Sequence, residues 1–347
     1  MTYDGRTRVL IMAERRENAV DLVMRDLPKM ATDEALVKIR YAGICGTDLH
    51  IIRWNDWAQR VYQPPFALGH ELCGEIVDIG PGSSFRVGDR VTIETHLGCG
   101  NCRQCSNDRS HTCEKLVTFS RLNRGAFADF SIIPVGLLRK VPENVSDKVG
   151  AIMEPLGIAV RCTTEIDCRG KGVLVSGCGP IGLMSIATAK AQGAGPIIVT
   201  DPVAERRAFA LRLGAGTAIN PLVEDVAERA RQITDGAGVD IAIETSGVGM
   251  AISAAIEATA TGGTCFESGL PEREVPINVA THIVLREVAL RGVYGRRLDK
   301  TWQETADALS GTLEIDNIIT DVFPLENFRD ALELAQSAKV GKVLLQP

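Results

Sequence analysis

From Arg8 to about Val91, short apolar runs rich in β-branched residues alternate with Gly, Pro and Asp. The runs at 35–41, 72–79 and 90–93 predict strands of an all-β unit. Gly80-Pro-Gly82 and Val87-Gly-Asp89 read as its corners, and 127–133 predicts the strand that closes it. Near Ala151 the period changes. A short apolar run at 171–176 leads into Gly177-Cys-Gly-Pro-Ile-Gly182, a helical pattern over 183–192 and a second run, 196–200, ending at Asp201: a βαβ unit. The alternation goes on with a helix over 204–213, a strand at 240–245, a helix over 250–261 and a strand at 263–268. That order predicts a parallel, doubly wound α/β sheet. Beyond about Arg296 the pattern predicts a helix over 301–310, an apolar segment at 318–323, a helix over 325–337 and a last strand at 341–346. There is no internal repeat.

With 347 residues the chain has room for about two domains. Its 45% hydrophobic and 24% charged residues are ordinary globular usage, which excludes extensive disorder. Lys+Arg 38 against Asp+Glu 44 gives a net charge of −6, so no broad basic field exists to attract nucleic acid or an anionic membrane. No segment carries the roughly 18 unbroken apolar residues of a membrane span, and residues 1–6 lack a signal-peptide pattern. A cytoplasmic location is expected. Ten cysteines are too few for a disulfide scaffold of this length, yet four fall between 99 and 113.

Those four, Cys99, Cys102, Cys105 and Cys113, place soft ligands in one loop, and four thiolates suit a tetrahedral Zn(II) that holds together a loop without a core of its own. Dispersed free cysteines, a redox Cys-x-x-Cys and a nucleic-acid zinc module fit less well. Free Cys is normally scattered, redox pairs sit at a strand-to-helix turn, and paired zinc knuckles stand about 15–20 residues apart. With every position filled by sulfur, such an ion is structural rather than catalytic.

Cys45 in Gly43-Ile-Cys45-Gly-Thr47-Asp-Leu-His50, together with His70 and Glu71, adds a thiolate, an imidazole and a carboxylate within the β-rich part. Glu154 is a further acid. Mixed S/N/O ligation would leave one position for water or an alcohol oxygen. Read from the residues alone, a structural His–Glu pair and a small buried Cys explain them as well. Gly177-x-Gly179-x-x-Gly182 follows a strand and opens a helix, with Pro180 and Ile181 inside it, as a pyrophosphate turn requires. Asp201 follows after about twenty residues, where a carboxylate accepts from the adenosine ribose and repels a 2′-phosphate, favouring NAD over NADP. Arg206 is the residue that could accommodate that phosphate instead.

At this point the sequence resembles the zinc-containing medium-chain alcohol dehydrogenases along nearly its whole length. The resemblance rests on Gly69-His-Glu71, the four-cysteine lobe and the mid-chain glycine turn. Segments 53–59, 95–102, 109–113, 175–182 and 292–296 look like those of the family's threonine-oxidising branch. Met153-Glu-Pro-Leu156 looks more like the polyol (sorbitol-type) branch, since threonine enzymes tend to carry Asp where this chain has Glu154. The resemblance implies an α/β fold made of a GroES-like catalytic domain (1–153 and 296–347, with a zinc lobe at 98–113) and a Rossmann NAD-binding domain (154–295). It implies two zinc ions per chain, with Cys45, His70 and Glu71 on the catalytic one and Glu154 as an alternating ligand or nearby acid. Thr47 and His50 would form a proton relay, and His96 would lie beside the substrate. Ser268, Gly269, Leu270, Val293 and Tyr294 would line the nicotinamide half. The activity implied is NAD-dependent oxidation of a small secondary alcohol, threonine-like or polyol, to a ketone by a homotetramer. The rival is a zinc-stabilised dinucleotide sensor, which would need Gly177–Gly182 but have no use for Cys45, His70 and Glu71.

Overall fold

The computed structural model describes residues 5–337 and 341–347. The chain divides into two compact units. One comprises Met1–Glu154, Arg297–Trp302 and Ile319–Pro347, and the other Pro155–Arg296 and Gln303–Ile318.

In the first unit a seven-stranded sheet runs in the order Leu138–Lys140, Arg90–Ile93, Glu71–Ile79, Glu34–Gly43, Lys342–Gln346, Ile319–Pro324, and Phe130–Pro134 also pairs with Glu34–Gly43. The last of these strands begins later than the apolar run starting at 127. Phe127 O accepts from Leu10 N, and the Asp129 carboxylate is taken by Arg8. Leu10, Met12, Val37, Ile51, Leu72, Ile76 and Phe127 are all buried in one core. The strand Glu34–Gly43 is the one that matters most for chemistry. It lies between Glu71–Ile79 and Lys342–Gln346, antiparallel to both, with Gly43 opposite Glu71 on one side and opposite Leu344 on the other. A Cβ at Gly43 would come 2.1 Å from Glu71 Oε2 and 3.0 Å from Lys342 Cε. The missing side chain therefore makes the space in which those two meet.

The second unit is a six-stranded parallel sheet. Numbered by appearance within it, Val173–Ser176, Ile197–Thr200, Thr217–Ile219, Val239–Glu244, Thr259–Glu267 and Ala289–Gly292 lie in the order 3-2-1-4-5-6. This is the doubly wound nucleotide-binding order, with ligand sites at the carboxyl ends of the strands. Helices Pro180–Ala191, Ala204–Leu213 and Gly249–Ala258 stand where the 3.6-residue period predicts them. Two further helices, Met153–Thr164 and Val226–Ile233, were not predicted. No helix among the described residues is long and apolar enough to cross a membrane.

Candidate active site and metal centres

Cys45, at the end of the central strand's path, is the N-cap of the short helix Gly46–Ile52. In that helix's first turn Asp48, 1% exposed, reaches back: its Oδ2 accepts from Cys45 N at 3.0 Å and its Oδ1 lies 3.3 Å from His70 Nδ1. With Nδ1 facing a carboxylate, the His70 nitrogen that remains for a metal is Nε2. One ligand atom each from Cys45, His70 and Glu71 lie within 4.8 Å of one another. Burial disfavours a charged His70 ring, but the anionic Asp48 and Cys45 beside it outweigh that and raise it well above the ordinary range. Burial likewise opposes a charged Lys342, and Glu71, Cys45 and Asp48 more than offset it. Both groups sit in the same anionic surroundings, and a thiolate, an imidazole and a carboxylate are the donors of an open zinc site.

Lys342 Nζ lies 2.7 Å from Glu71 Oε1 and 2.5 Å from Oε2. Glu154, 6% exposed, is outside the close cluster; its Oε1 accepts from Thr95 Oγ1 at 2.9 Å. His96 is 9% exposed and held by Glu94, while Thr47 and His50 occupy the helix Gly46–Ile52, with His50 exposed and its Nδ1 3.1 Å from Asn55 Nδ2.

The other four cysteines also converge, their sulfurs within 4.8 Å of one another. Cys102 Sγ is 3.6 Å from Cys105 Sγ and 3.8 Å from Cys113 Sγ. Sulfurs at the corners of a zinc tetrahedron with bonds of about 2.3 Å stand about 3.8 Å apart, so the lobe fits the ion. Backbone N–H groups of Cys105 and Glu114 draw the Cys102 thiol down to about 6. Cys113 also accepts from Cys99 N, yet burial and the adjacent thiols push it up to about 11, the mutual repulsion that a shared dication relieves. Cys73, Cys162, Cys168, Cys178 and Cys265 are buried singly.

In the nucleotide-type unit Gly177 has φ +90°, and a Cβ on Gly182 would come 1.9 Å from Gly177 O, so both are demanded by the turn itself. Gly179 is different. A Cβ there would meet nothing within 4 Å, leaving open space at the N-terminus of helix Pro180–Ala191, with Pro180 and Ile181 in its first turn. That opening fits an approaching pyrophosphate. Asp201 Oδ2 accepts from Cys178 N at 2.9 Å and Oδ1 from Val203 N at 2.8 Å, which ties the second strand's end to the glycine turn; Arg206 Nη1 is 3.6 Å away. Ser268 Oγ donates to Glu244 O, Gly269 packs against Gly247, Leu270 and Tyr294 are exposed and Val293 is buried.

The sequence reading missed four residues of this geometry. Asp48 sits inside the Cys45–His50 motif and Glu94 two residues before His96, so each carboxylate had a neighbour already singled out. Trp302, whose Nε1 donates to Glu94 Oε2 at 2.8 Å, and Lys342 carry none, being far along the chain from Glu94 and Glu71.

A closed four-thiol lobe and an open Cys-His-Glu cluster, carried on a chain that also has a doubly wound nucleotide-binding sheet, define a zinc-dependent dehydrogenase. The comparisons agree. The family described as Zinc-binding dehydrogenase matches residues 180–311, and the Alcohol dehydrogenase GroES-like domain matches residues 31–143. The chain is 40% identical over 339 residues to L-threonine 3-dehydrogenase of Pyrococcus furiosus, covering 97% of each chain. It superposes on galactitol-1-phosphate dehydrogenase of Escherichia coli with TM-score 0.90 at 25% identity, covering 98% of this chain and 100% of that one. A zinc-binding dehydrogenase of Sinorhizobium meliloti bound to NADP gives TM-score 0.89 at 27% identity, covering 99% of each. The chain belongs to the zinc-containing alcohol dehydrogenase family, with its GroES-like and Rossmann-like folds, and it is an enzyme that oxidises an alcohol to a ketone.

Proposed function

We propose that this enzyme oxidises L-threonine, a secondary alcohol flanked by an amino group, to the corresponding ketone with NAD as acceptor. The observation that carries the reading is the cluster of Cys45, His70 and Glu71 in the same unit as His96, together with 40% identity to a threonine-oxidising relative over 97% of the chain. When bound by that cluster, zinc acts as a Lewis acid toward the substrate hydroxyl. Asp48 orients His70 and keeps Nε2 toward the metal side, and Lys342 holds Glu71 in its buried position. Thr47 takes up the hydroxyl proton as it gives up its own, and His50, one helical turn on and exposed to solvent, delivers the released proton to water. His96 binds the substrate beside its reacting carbon. Cys99, Cys102, Cys105 and Cys113 hold a second, structural zinc. Gly177, Gly179 and Gly182 receive the pyrophosphate, and Asp201 selects NAD by denying room and charge to a 2′-phosphate. Ser268–Leu270, Val293 and Tyr294 border the nicotinamide.

Chain division into a catalytic part and a coenzyme part, a cytoplasmic location and a homotetramer complete the proposal. The exposed apolar side chains of Leu270, Val284, Leu285 and Leu290, at and near the sheet's edge strand Ala289–Gly292, support association of copies. A second reading, oxidation of a polyol, is favoured by Glu154 and by the fold's likeness to a galactitol-1-phosphate enzyme. Following NADH formation with L-threonine and with C4 to C6 polyols, and repeating it with NADP, separates the two. Turnover of polyols alone would replace the threonine reading, and turnover of nothing in the presence of zinc would defeat both.

A further inference from the structure

Glu94 is fully buried, and its carboxylate is gripped by three nitrogens. Oε1 accepts from His96 N at 2.9 Å and stands 2.9 Å from His96 Nδ1; Oε2 accepts from Trp302 Nε1 at 2.8 Å. A backbone N–H and an indole N–H only donate, so Glu94 acts as acceptor on both oxygens. The nitrogen facing it, His96 Nδ1, must therefore carry the hydrogen. The second neighbour of that nitrogen agrees. Thr95 Oγ1, 3.1 Å from His96 Nδ1, gives its single proton to Glu154 Oε1 at 2.9 Å and so also turns a lone pair toward the ring. Two independent acceptors thus place a hydrogen on Nδ1, which makes Nε2 the only ring nitrogen that can carry a lone pair.

We propose that Glu94 and Trp302 are positioning residues that lock His96 in the Nδ1–H form, so that its Nε2 accepts a hydrogen bond from an amine or hydroxyl on the carbon next to the substrate's reacting carbinol. The substrate half of this rests on the placement of His96 given above; the tautomer half does not. His96 in this state selects a substrate with a donor beside the carbinol and disfavours one that offers only acceptors there, because two facing lone pairs repel. Trp302 acts at one remove. By holding Oε2 it prevents the Glu94 carboxylate from rotating away from the ring.

The test uses the zinc-loaded full chain with its five histidines labelled with ¹⁵N. Long-range ¹H–¹⁵N spectra distinguish protonated from bare ring nitrogens, and His96→Asn assigns the signal. The expected result is a bare Nε2 in the native protein and a mixture of tautomers both in Glu94→Gln, whose single amide oxygen cannot serve the His96 and Trp302 donors together, and in Trp302→Phe. Kinetically, Glu94→Gln should raise KM for L-threonine about tenfold with a smaller change in kcat and unchanged zinc content. Protonated Nε2 in the native protein, or an unmixed native tautomer in Glu94→Gln, overturns the proposal; a mixed tautomer with unaltered KM overturns its substrate half. If Glu94→Gln does not fold, the Trp302→Phe spectrum decides alone, an unmixed Nδ1–H ring counting against it. Because the spectra need no turnover, a failure of the threonine reading leaves this result standing on its own.

Discussion

Lys342, 2% exposed, and Glu71, fully buried, form an ion pair across the backbone of Gly43, joining the last strand of the chain to the strand that begins at the metal cluster's carboxylate. A buried carboxylate deprived of the ammonium paired with it is costly, by about 3–5 kcal/mol where one partner of such a pair is removed. A bound dication would supply part of the lost compensation. Lys342→Met should therefore destabilise the metal-free protein by about 3 kcal/mol or more and the zinc-loaded protein by clearly less. Thermal unfolding of both forms checks this: the gap in Tm between loaded and stripped protein should widen in the variant. An equal loss in both forms would mean that Glu71 does not face the metal.

The two cysteine sets should separate in a single pair of substitutions. Cys45→Ser removes a donor from the open cluster but leaves the lobe intact, so zinc should fall from two ions per chain to one, turnover should vanish and Tm should stay within a few degrees of the parent. Cys102→Ser strikes the closed lobe, where the ion holds a loop with little apolar packing, and should lower Tm while the ion at Cys45 is retained. Metal analysis and calorimetry on the same samples decide it, and appreciable turnover by Cys45→Ser would remove that residue from the site.

Much of this was legible in the chain because the relevant signals are local. The glycine turn, the four-cysteine loop and the strand-helix alternation each declare themselves within about twenty residues, whereas the short strands Thr217–Ile219 and Ala289–Gly292, which complete the 3-2-1-4-5-6 order, carry too few residues to show a pattern. The helix Met153–Thr164 contains Pro155 and Gly157, residue types that ordinarily mark an interruption, although a proline in a helix's first turn forfeits no hydrogen bond. Val226–Ile233 is short and mostly polar outside its buried Val226, Ala227 and Ala230. What sequence pattern cannot supply is pairing at long range. Glu94 and Trp302 meet across 208 positions and Glu71 and Lys342 across 271, and nothing near either Lys342 or Trp302 marks it as more than a buried side chain.

Coenzyme choice should turn on charge at one position. The Asp201 carboxylate is anchored by Cys178 N and Val203 N with Arg206 3.6 Å away, so removing its charge frees that guanidinium for a phosphate. Asp201→Asn keeps an acceptor oxygen for the turn. It should shift the ratio of kcat/KM for NAD over NADP toward NADP by about tenfold or more. Steady-state rates with both coenzymes measure it, and an unchanged ratio would mean that selection lies elsewhere.

The nucleotide-type unit should also carry a pH signature of its own. Glu267 ends the fifth strand with Oε2 buried and without a partner; burial and the nearby Glu244 raise it to about 7, against the opposing hydrogen bond from Cys265. A carboxyl raised in the folded state binds more protons folded than unfolded, so its contribution is neutral below the unfolded value of 4.5 and becomes progressively unfavourable as pH climbs to about 7. Glu267→Gln cannot ionise and escapes that penalty. Because the side chain is only half-buried, solvent screening reduces the effect, and the variant should gain about 1–2 kcal/mol over the parent between pH 5 and pH 8. Urea unfolding of both proteins at the two pH values measures that difference directly, since contributions from the metal sites are common to parent and variant and cancel. A gain of the same size at pH 5 would trace the effect to packing instead of charge.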